Sequence, residues 1–321
     1  MKPVKPMEPK KSDEIPRGSE WTAQIKWDGV RVLTYYDGNN VRLFNRKCNE
    51  RTLHFPELTD IPTYCDAGTG VILDGEVIAM GDDGKPSFHE VMRRDGIRRM
   101  ERVEQVKKLV PVTYMVFDVL YYNGEWKTNS PLEERLALLS RIIKTADIAQ
   151  QVSSHEDGDT LFKVVRQHGM EGIVMKRIDS PYILGKKKDV WLKIKNYRDL
   201  IAVIGGYTLR GSVVNAVLLG LYDSEGKLWY IGHTGTGKMT HNEWVELTES
   251  LSKIKLEKRP FHNVPPGSRK SYWVNPQITV KVKFSQWTEG MSLRQPSIEA
   301  FVEIPPENCR FEQGNLHHGR F

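Results

Sequence analysis

Lys26-Trp27-Asp28-Gly29-Val30-Arg31 stands where one β-rich segment ends and the next begins through a glycine. Trp21 to Phe44 reads as short strands broken by turn residues, with Asp37-Gly38-Asn39-Asn40 joining Val30–Tyr36 to Val41–Phe44 as a hairpin. A lysine at such a strand end can be held beside a ligand. Free lysine is protonated at neutral pH, so covalent chemistry needs burial or a cationic neighbourhood and polar partners to aim it. Arg31 can add charge and a phosphate fork. Taken alone, the hexapeptide also reads as a strand turn with a surface lysine.

Outward from it, Val71–Met80 and Val112–Tyr122 read as buried strands ended by turns. Ser87 to Lys108 between them carries Arg93, Arg94, Arg98, Arg99, Arg102, Lys107 and Lys108, which reads either as a solvated helical face or as a phosphate-contacting surface. Ser130-Pro131 followed by Glu133 and Glu134 predicts a helix over 131–144 with Ser130 as its cap. Thr160 to Gly169 predicts another, with Leu161, Val164 and Val165 facing inward, and 171–176 and 191–195 return to strand. After Tyr197-Arg198-Asp199 come strands at Leu200–Tyr207, Ala216–Tyr222, Leu228–Gly232 and Ile278–Phe284 and one helical pattern at 241–254, the signature of a small β-barrel of OB size.

The chain has 321 residues, 39% hydrophobic and 27% charged, with a net charge of +6. That composition excludes wholesale disorder and a fibrous repeat, and it mildly favours polyanionic partners. No apolar run approaches the roughly 18 residues of a membrane span. No secretory-type apolar core follows the lysines and prolines of Met1–Pro16, a segment without an assigned element, so a cytoplasmic protein is expected. Cys48, Cys65 and Cys309 show no CxxC spacing and read as reduced thiols.

Further motifs follow the hexapeptide in order: Asn45-Arg46 with Thr52 and Phe55-Pro56-Glu57-Leu58, Asp74-Gly75-Glu76, Phe117-Asp118-Val119-Leu120-Tyr121, Glu171-Gly172-Ile173-Val174-Met175-Lys176 and Trp191-Leu192-Lys193-Ile194-Lys195. Together with Leu293-Arg294-Gln295-Pro296 they resemble the nucleotidyltransferase motifs of ATP-dependent DNA ligases, nearest to the ligase D type of bacterial end joining and small phage-like relatives. The resemblance runs from about Trp21 to Phe301. It implies an α+β fold, with an ATP-grasp-like nucleotidyltransferase domain over 1–198 and an OB-fold β-barrel over 199–321.

The resemblance also implies roles. Lys26 would form a lysyl-AMP from ATP, pass AMP to a 5′-phosphate, and a 3′-hydroxyl would then displace it. Gln24, Ile25, Arg31, Arg46, Glu76, Lys193, Lys195 and Arg294 would contact ATP or AMP, and Phe117 would stack on adenine. Glu76 and Glu171 are hard oxygen donors suited to Mg²⁺, with Mn²⁺ as the other metal; either acid alone also reads as a solvated strand end. Lys193 and Lys195, two apart in a strand, share one face, where they can neutralise a phosphate or simply face water at a sheet edge. Lys186, Lys187 and Lys188, read as a turn between two strands, suit a DNA backbone or solvent.

Departures from the family pattern are Gln295 for histidine, Cys48 for glycine and Asn45 for serine. The expected partners are nicked or broken duplex DNA and ATP, with a Ku-type end-binding protein as a further partner, no membrane and a monomeric state. RNA ligase and capping-type chemistry share the covalent lysine, and a non-catalytic single-strand binder is the competitor from another class. Gly232-His233-Thr234-Gly235-Thr236-Gly237-Lys238 has P-loop spacing, but Met239 and the β-rich context break it, so it reads as a barrel turn.

Overall fold

The computed structural model describes all residues except Asp83, 236–239, 268–269, Glu289 and 315–321. The P-loop-like turn therefore lies partly outside the described residues. The chain divides into two compact units, Met1–Asn196 and Tyr197–Phe321.

The first unit runs β1 (Glu8–Lys11), β2 (Trp21–Ile25), β3 (Val30–Tyr36), β4 (Val41–Asn45), β5 (Val71–Ile78), α1 (Phe88–Asp95), α2 (Val103–Leu109) and β6 (Thr113–Tyr122). It continues with β7 (Glu125–Trp126), α3 (Leu132–Ile142), β8 (Ala149–Gln151), β9 (Ser154–His155), α4 (Gly158–Gln167), β10 (Gly172–Arg177) and β11 (Lys187–Lys195). Two sheets result, one ordered β1-β11-β10-β2-β9 and the other β4-β3-β5-β6-β7 with β8 beside β6. Alternating apolar residues of β3, β5 and β6 pack with Phe55, Leu58, Ile61, Leu139 and Ile142 into one core. A smaller core of Ala23, Leu161, Val165, Ile173, Met175 and Ile194 holds α4 against the other sheet.

Several sequence expectations need correction. Pro131, not Ser130, occupies the cap position of α3, without a side-chain cap; the Ser130 carbonyl instead accepts from Arg135 Nη1 at 2.6 Å. Val164 is 44% exposed while Leu161 and Val165 are buried, because the i, i+4 pair fills the narrow stripe that faces β10. Lys187 and Lys188 lie in β11 rather than in a turn, and β11 is an interior strand rather than an edge. Both corrections have one cause: the N-terminal segment folds into β1 and pairs in parallel with β11, Glu8 opposite Lys187 and Lys11 opposite Lys193.

Met7, just before β1, is fully buried beside Leu33, Tyr182 and Trp191, and its N–H donates to the Tyr182 hydroxyl at 3.1 Å. Truncating such a buried side chain leaves a cavity, so Met7→Ala should cost about 2–5 kcal/mol. The check is a thermal melt of the full chain, in which a cost under about 0.5 kcal/mol would show that β1 does not anchor the sheet.

The second unit contains β12 (Arg198–Arg210), β13 (Val213–Tyr222), β14 (Leu228–Thr234), α5 (His241–Lys253), β15 (Lys255–Leu256), β16 (Tyr272–Val274), β17 (Thr279–Phe284), β18 (Gln286–Trp287), β19 (Leu293–Arg294) and β20 (Ser297–Val302). The long β12 pairs with β13 on one side and with β16 and then β17 on the other, which curls the sheet around a core that includes Ile204, Leu219, Trp244, Leu251, Phe261 and Val280. Thr240 and Glu243 form a reciprocal capping box at the start of α5. No helix among the described residues is long and apolar enough to cross a membrane.

Candidate active site

Lys26 follows the last residue of β2, and its N–H donates to the Gly172 carbonyl at 2.9 Å. The register places Ile25 opposite Ile173 and Gly172 opposite Lys195. Three neighbouring strands therefore deliver Lys26, Glu171 and Lys195 to one end of the sheet. Glu171 bridges the two lysines, with Lys26 Nζ 2.6 Å from Oε2 and Lys195 Nζ 2.8 Å from Oε1. Gly172 is required here, since its φ of +148° disfavours a side chain and a Cβ would lie 2.2 Å from the Ile194 carbonyl.

The second sheet supplies the opposite wall. Arg31 in β3 stands across from Glu76 in β5. Gly29 lets the strand enter at close quarters, because a Cβ there would meet the Val77 carbonyl at 2.3 Å. The Arg31 guanidinium grips Asp74 through Nε (2.9 Å) and Nη2 (2.6 Å) and also donates to the Tyr182 hydroxyl. That hydroxyl in turn donates to Asp74 at 2.6 Å. The fork that sequence reasoning offered to a phosphate is thus engaged within the protein. Burial opposes the charge on Arg31, but Asp74, Tyr182 and Glu76 together outweigh it and hold the group firmly protonated.

Electrostatics separate the two acids. Burial pushes the Glu171 carboxyl up, yet Lys26 and Lys195 together bring it below the usual range. Burial raises the Glu76 carboxyl to about 7 against the pull of Lys26 and Arg31. Burial and then Lys187, Lys26 and Lys195 lower Lys193, so the cationic side of the site is crowded enough to favour an arriving anion. Lys26, Glu76, Glu171, Arg31, Lys193 and Lys195 accordingly form one electrostatic cluster.

Phe117 is the partly exposed residue in an otherwise buried run of β6. Its ring lies 6.2 Å from Trp191, edge to face, with the Arg31 guanidinium 5.2 Å from its centroid. Gln24 is buried; its Nε2 donates to Ser154 at 3.0 Å, while its Oε1 has no donor. Arg46 is not drawn into the cluster: it is largely exposed, 3.8 Å from Glu8. The adjoining Cys48 has φ of +62°, so the backbone at that turn already takes the conformation that glycine adopts most easily. Lys186, Lys187 and Lys188 are all exposed, and Arg294 lies in β19 of the second unit.

Sequence reasoning missed Tyr182 and Lys176. Lys176 is buried, 4.5 Å from the centroid of Phe117 and 4.1 Å from that of Trp191. Burial lowers it to about 7 despite Asp118 and Asp74. A lysine inside the strand run Gly172–Arg177 is the available sequence signal, because its face of the strand is buried. The unfolded chain keeps this lysine protonated to about pH 10, whereas the folded chain releases the proton near 7. The folded state thus binds fewer protons over that window, and stability relative to Lys176→Met should rise from pH 7 to 9. Denaturant melts of both forms check this, and a pH-independent difference would refute it.

Among the described residues no group of three or more His, Cys, Asp or Glu side chains gathers to hold a metal. Glu76 nonetheless offers a hard carboxyl that no hydrogen bond or ion pair engages among the described residues, within electrostatic reach of Glu171. That donor set fits a divalent cation whose other ligands come from nucleotide phosphate and water.

Fold and site together define a class: an α+β unit with a lysine-centred charged cluster at its strand ends, followed by a β-barrel unit. The ATP dependent DNA ligase domain matches residues 6–195, and the ATP dependent DNA ligase C terminal region matches residues 210–302. The chain belongs to the ATP-dependent DNA ligase family, and its architecture is the nucleotidyltransferase unit plus OB-fold unit of that family. It is 31% identical to the multifunctional non-homologous end joining DNA repair protein LigD of Mycobacterium tuberculosis, over 88% of this chain and 36% of that protein. It is 29% identical to the DNA ligase of Thermococcus onnurineus, over 94% of this chain and 56% of that protein. The solved structure of mycobacterial DNA ligase D complexed with ATP and MES aligns at 27% identity with a TM-score of 0.52, covering 95% of this chain and 97% of that one. The chain spans little more than half, or less, of the two curated relatives.

Proposed function

We propose that this chain seals 5′-phosphate/3′-hydroxyl breaks in duplex DNA, with ATP as nucleotide donor and Lys26 as nucleophile. The observation that carries the reading is Glu171 between Lys26 and Lys195, 2.6 Å and 2.8 Å away. The Lys26 ammonium must lose a proton to become a nucleophile, and Glu171 is placed to accept it. Nζ then attacks the α-phosphorus, a P–N bond forms and pyrophosphate leaves. Lys193 and Lys195 offset the charge on the non-bridging oxygens. A 5′-phosphate oxygen next takes AMP from Lys26, and the 3′-hydroxyl finally displaces AMP as the strand closes.

Glu76 and Glu171 are the residues that would hold Mg²⁺ or Mn²⁺, which would supply charge neutralisation at the phosphates. The buried Gln24 Oε1 without a donor favours adenine, whose exocyclic amine donates where the guanine oxygen only accepts. Phe117, partly exposed in β6, is proposed to stack on the base, and Ile25 and Arg46 complete the proposed nucleotide contacts of the first unit. Lys186, Lys187 and Lys188 are proposed to meet the DNA backbone. A Ku-type end-binding protein is a further proposed partner, supported by the end-joining description of the mycobacterial relative. The test is intact mass after incubation with Mg²⁺ and ATP, GTP or NAD. One AMP from ATP, removed by pyrophosphate, is the expected adduct; a GMP adduct, or none on protein that starts unmodified, overturns the reading.

A further inference from the structure

The arginines of the 88–109 region do not behave as a plain solvated face. A concave site of about 530 Å³ opens between the end of α1, the connection after it and α2, lined by Arg93, Arg98, Arg99, Arg102 and Gln105 with an apolar floor that includes Ile97 and Val106. No Asp or Glu lines it. Arg93 pairs with Glu90 at 2.6 Å, but Arg98, Arg99 and Arg102 are exposed and have no carboxylate partner among the described residues. Leu109 is 65% exposed at the rim.

This platform is fixed rather than loose. Arg94, fully buried, donates to the Val110 carbonyl (3.0 Å) and the His54 carbonyl (2.8 Å) and pairs with Glu57 at 2.7 Å. Arg51 holds Asp95 at 2.7 Å. Two buried or half-buried ion pairs therefore clamp α1 to the 3₁₀ turns at Thr52–His54 and Pro56–Thr59. The unpaired guanidiniums are carried on a rigid base, so little entropy is lost when they meet a ligand.

We infer that this arginine cleft is a sugar-phosphate contact surface for DNA, separate from the Lys26 site and taking one strand of the duplex. Three unopposed planar forks suit successive phosphates, and the apolar floor suits the carbon face of deoxyribose, which an inorganic anion would leave uncovered. Such contacts carry no base information, so they anchor the duplex irrespective of sequence. The inference rests on the proposed DNA-sealing activity and adds where the protein grips its substrate.

The test compares the wild-type chain with Arg98→Ala/Arg99→Ala/Arg102→Ala in binding a labelled nicked duplex across a salt series. With three phosphate contacts removed, the slope of log K against log salt should fall by about 2 to 3, and affinity at moderate salt should drop tenfold or more. The triple Lys variant should keep most of the slope. Self-adenylation by ATP without DNA should be unchanged, which shows that the Lys26 site is folded. If adenylation also falls, Arg99→Gln and Arg102→Gln singly serve instead, each expected to remove about one unit of slope. Wild-type affinity and slope in the variants would overturn the inference and point to an acidic protein segment as the occupant. A wild-type chain that neither adenylates nor seals nicks would instead overturn the proposed activity.

Discussion

Lys26→Ala is expected to remove the AMP adduct and all ATP-dependent strand sealing while the chain stays folded. The reacting atom is Nζ itself; Lys195, on the other carboxylate oxygen of Glu171, and Lys193, two residues before it in β11, are assigned to neutralising the phosphate rather than to attack. Loss of a nucleophile that acts with its acceptor as a unit costs several orders of magnitude in rate. Stability should change little or improve slightly, since removing the ammonium leaves Glu171 still paired with Lys195. A DNA substrate already carrying AMP on its 5′-phosphate separates the steps, because the last displacement needs no lysyl-AMP, so some sealing of that substrate should survive in the variant. An AMP adduct on Lys26→Ala protein, located by peptide mass on another residue, would end the assignment of Lys26.

Much of this architecture was legible because its signals are local. The β-rich run Val30–Tyr36 and the Asp37–Asn40 turn specify a hairpin, and the observed pairing of β3 with β4 follows. Lys26 at a strand end with glycine close behind was legible for the same reason. What escaped depends on contacts far apart in sequence. Nothing in Met1–Pro16 announces a strand, since β1 exists only through its parallel pairing with β11. That pairing also turned the expected lysine loop into strand. The arginine run hid its one interior member, because Arg94 looks like its neighbours until Glu57, His54 and Val110 close around it. Lys176 and Tyr182 were hidden likewise: each takes its meaning from aromatic or acidic partners on other strands. Charges in a core are set by tertiary pairing, and hydropathy patterns register them only as interruptions.

The largest stability effect is expected at one such hidden pair. Arg135 in α3 and Asp118 in β6 are both fully buried, with Nε 2.7 Å from Oδ1 and Nη2 3.0 Å from Oδ2. Arg135 Nη1 also donates to the carbonyls of Ser130 (2.6 Å) and Ser180 (3.0 Å), so one guanidinium ties a helix, a strand and two loops. Arg135→Met keeps much of the volume but leaves the Asp118 carboxylate buried without its partner and two carbonyls without a donor. Breaking a buried pair from one side costs about 3–5 kcal/mol, which in a unit of this size lowers the melting temperature by roughly 6 to 20 °C. Asp118→Leu added to Arg135→Met removes the stranded charge, so the double variant should recover part of the loss. The effect should also reach the site, because Asp118 adjoins Phe117 and helps raise Lys176 against the pull of burial. KM for ATP should therefore rise in Arg135→Met below its melting range. A melting temperature within 2 °C of wild type would show that the pair is replaceable. An unchanged KM alongside a lowered melting temperature would confine Arg135 to holding the fold.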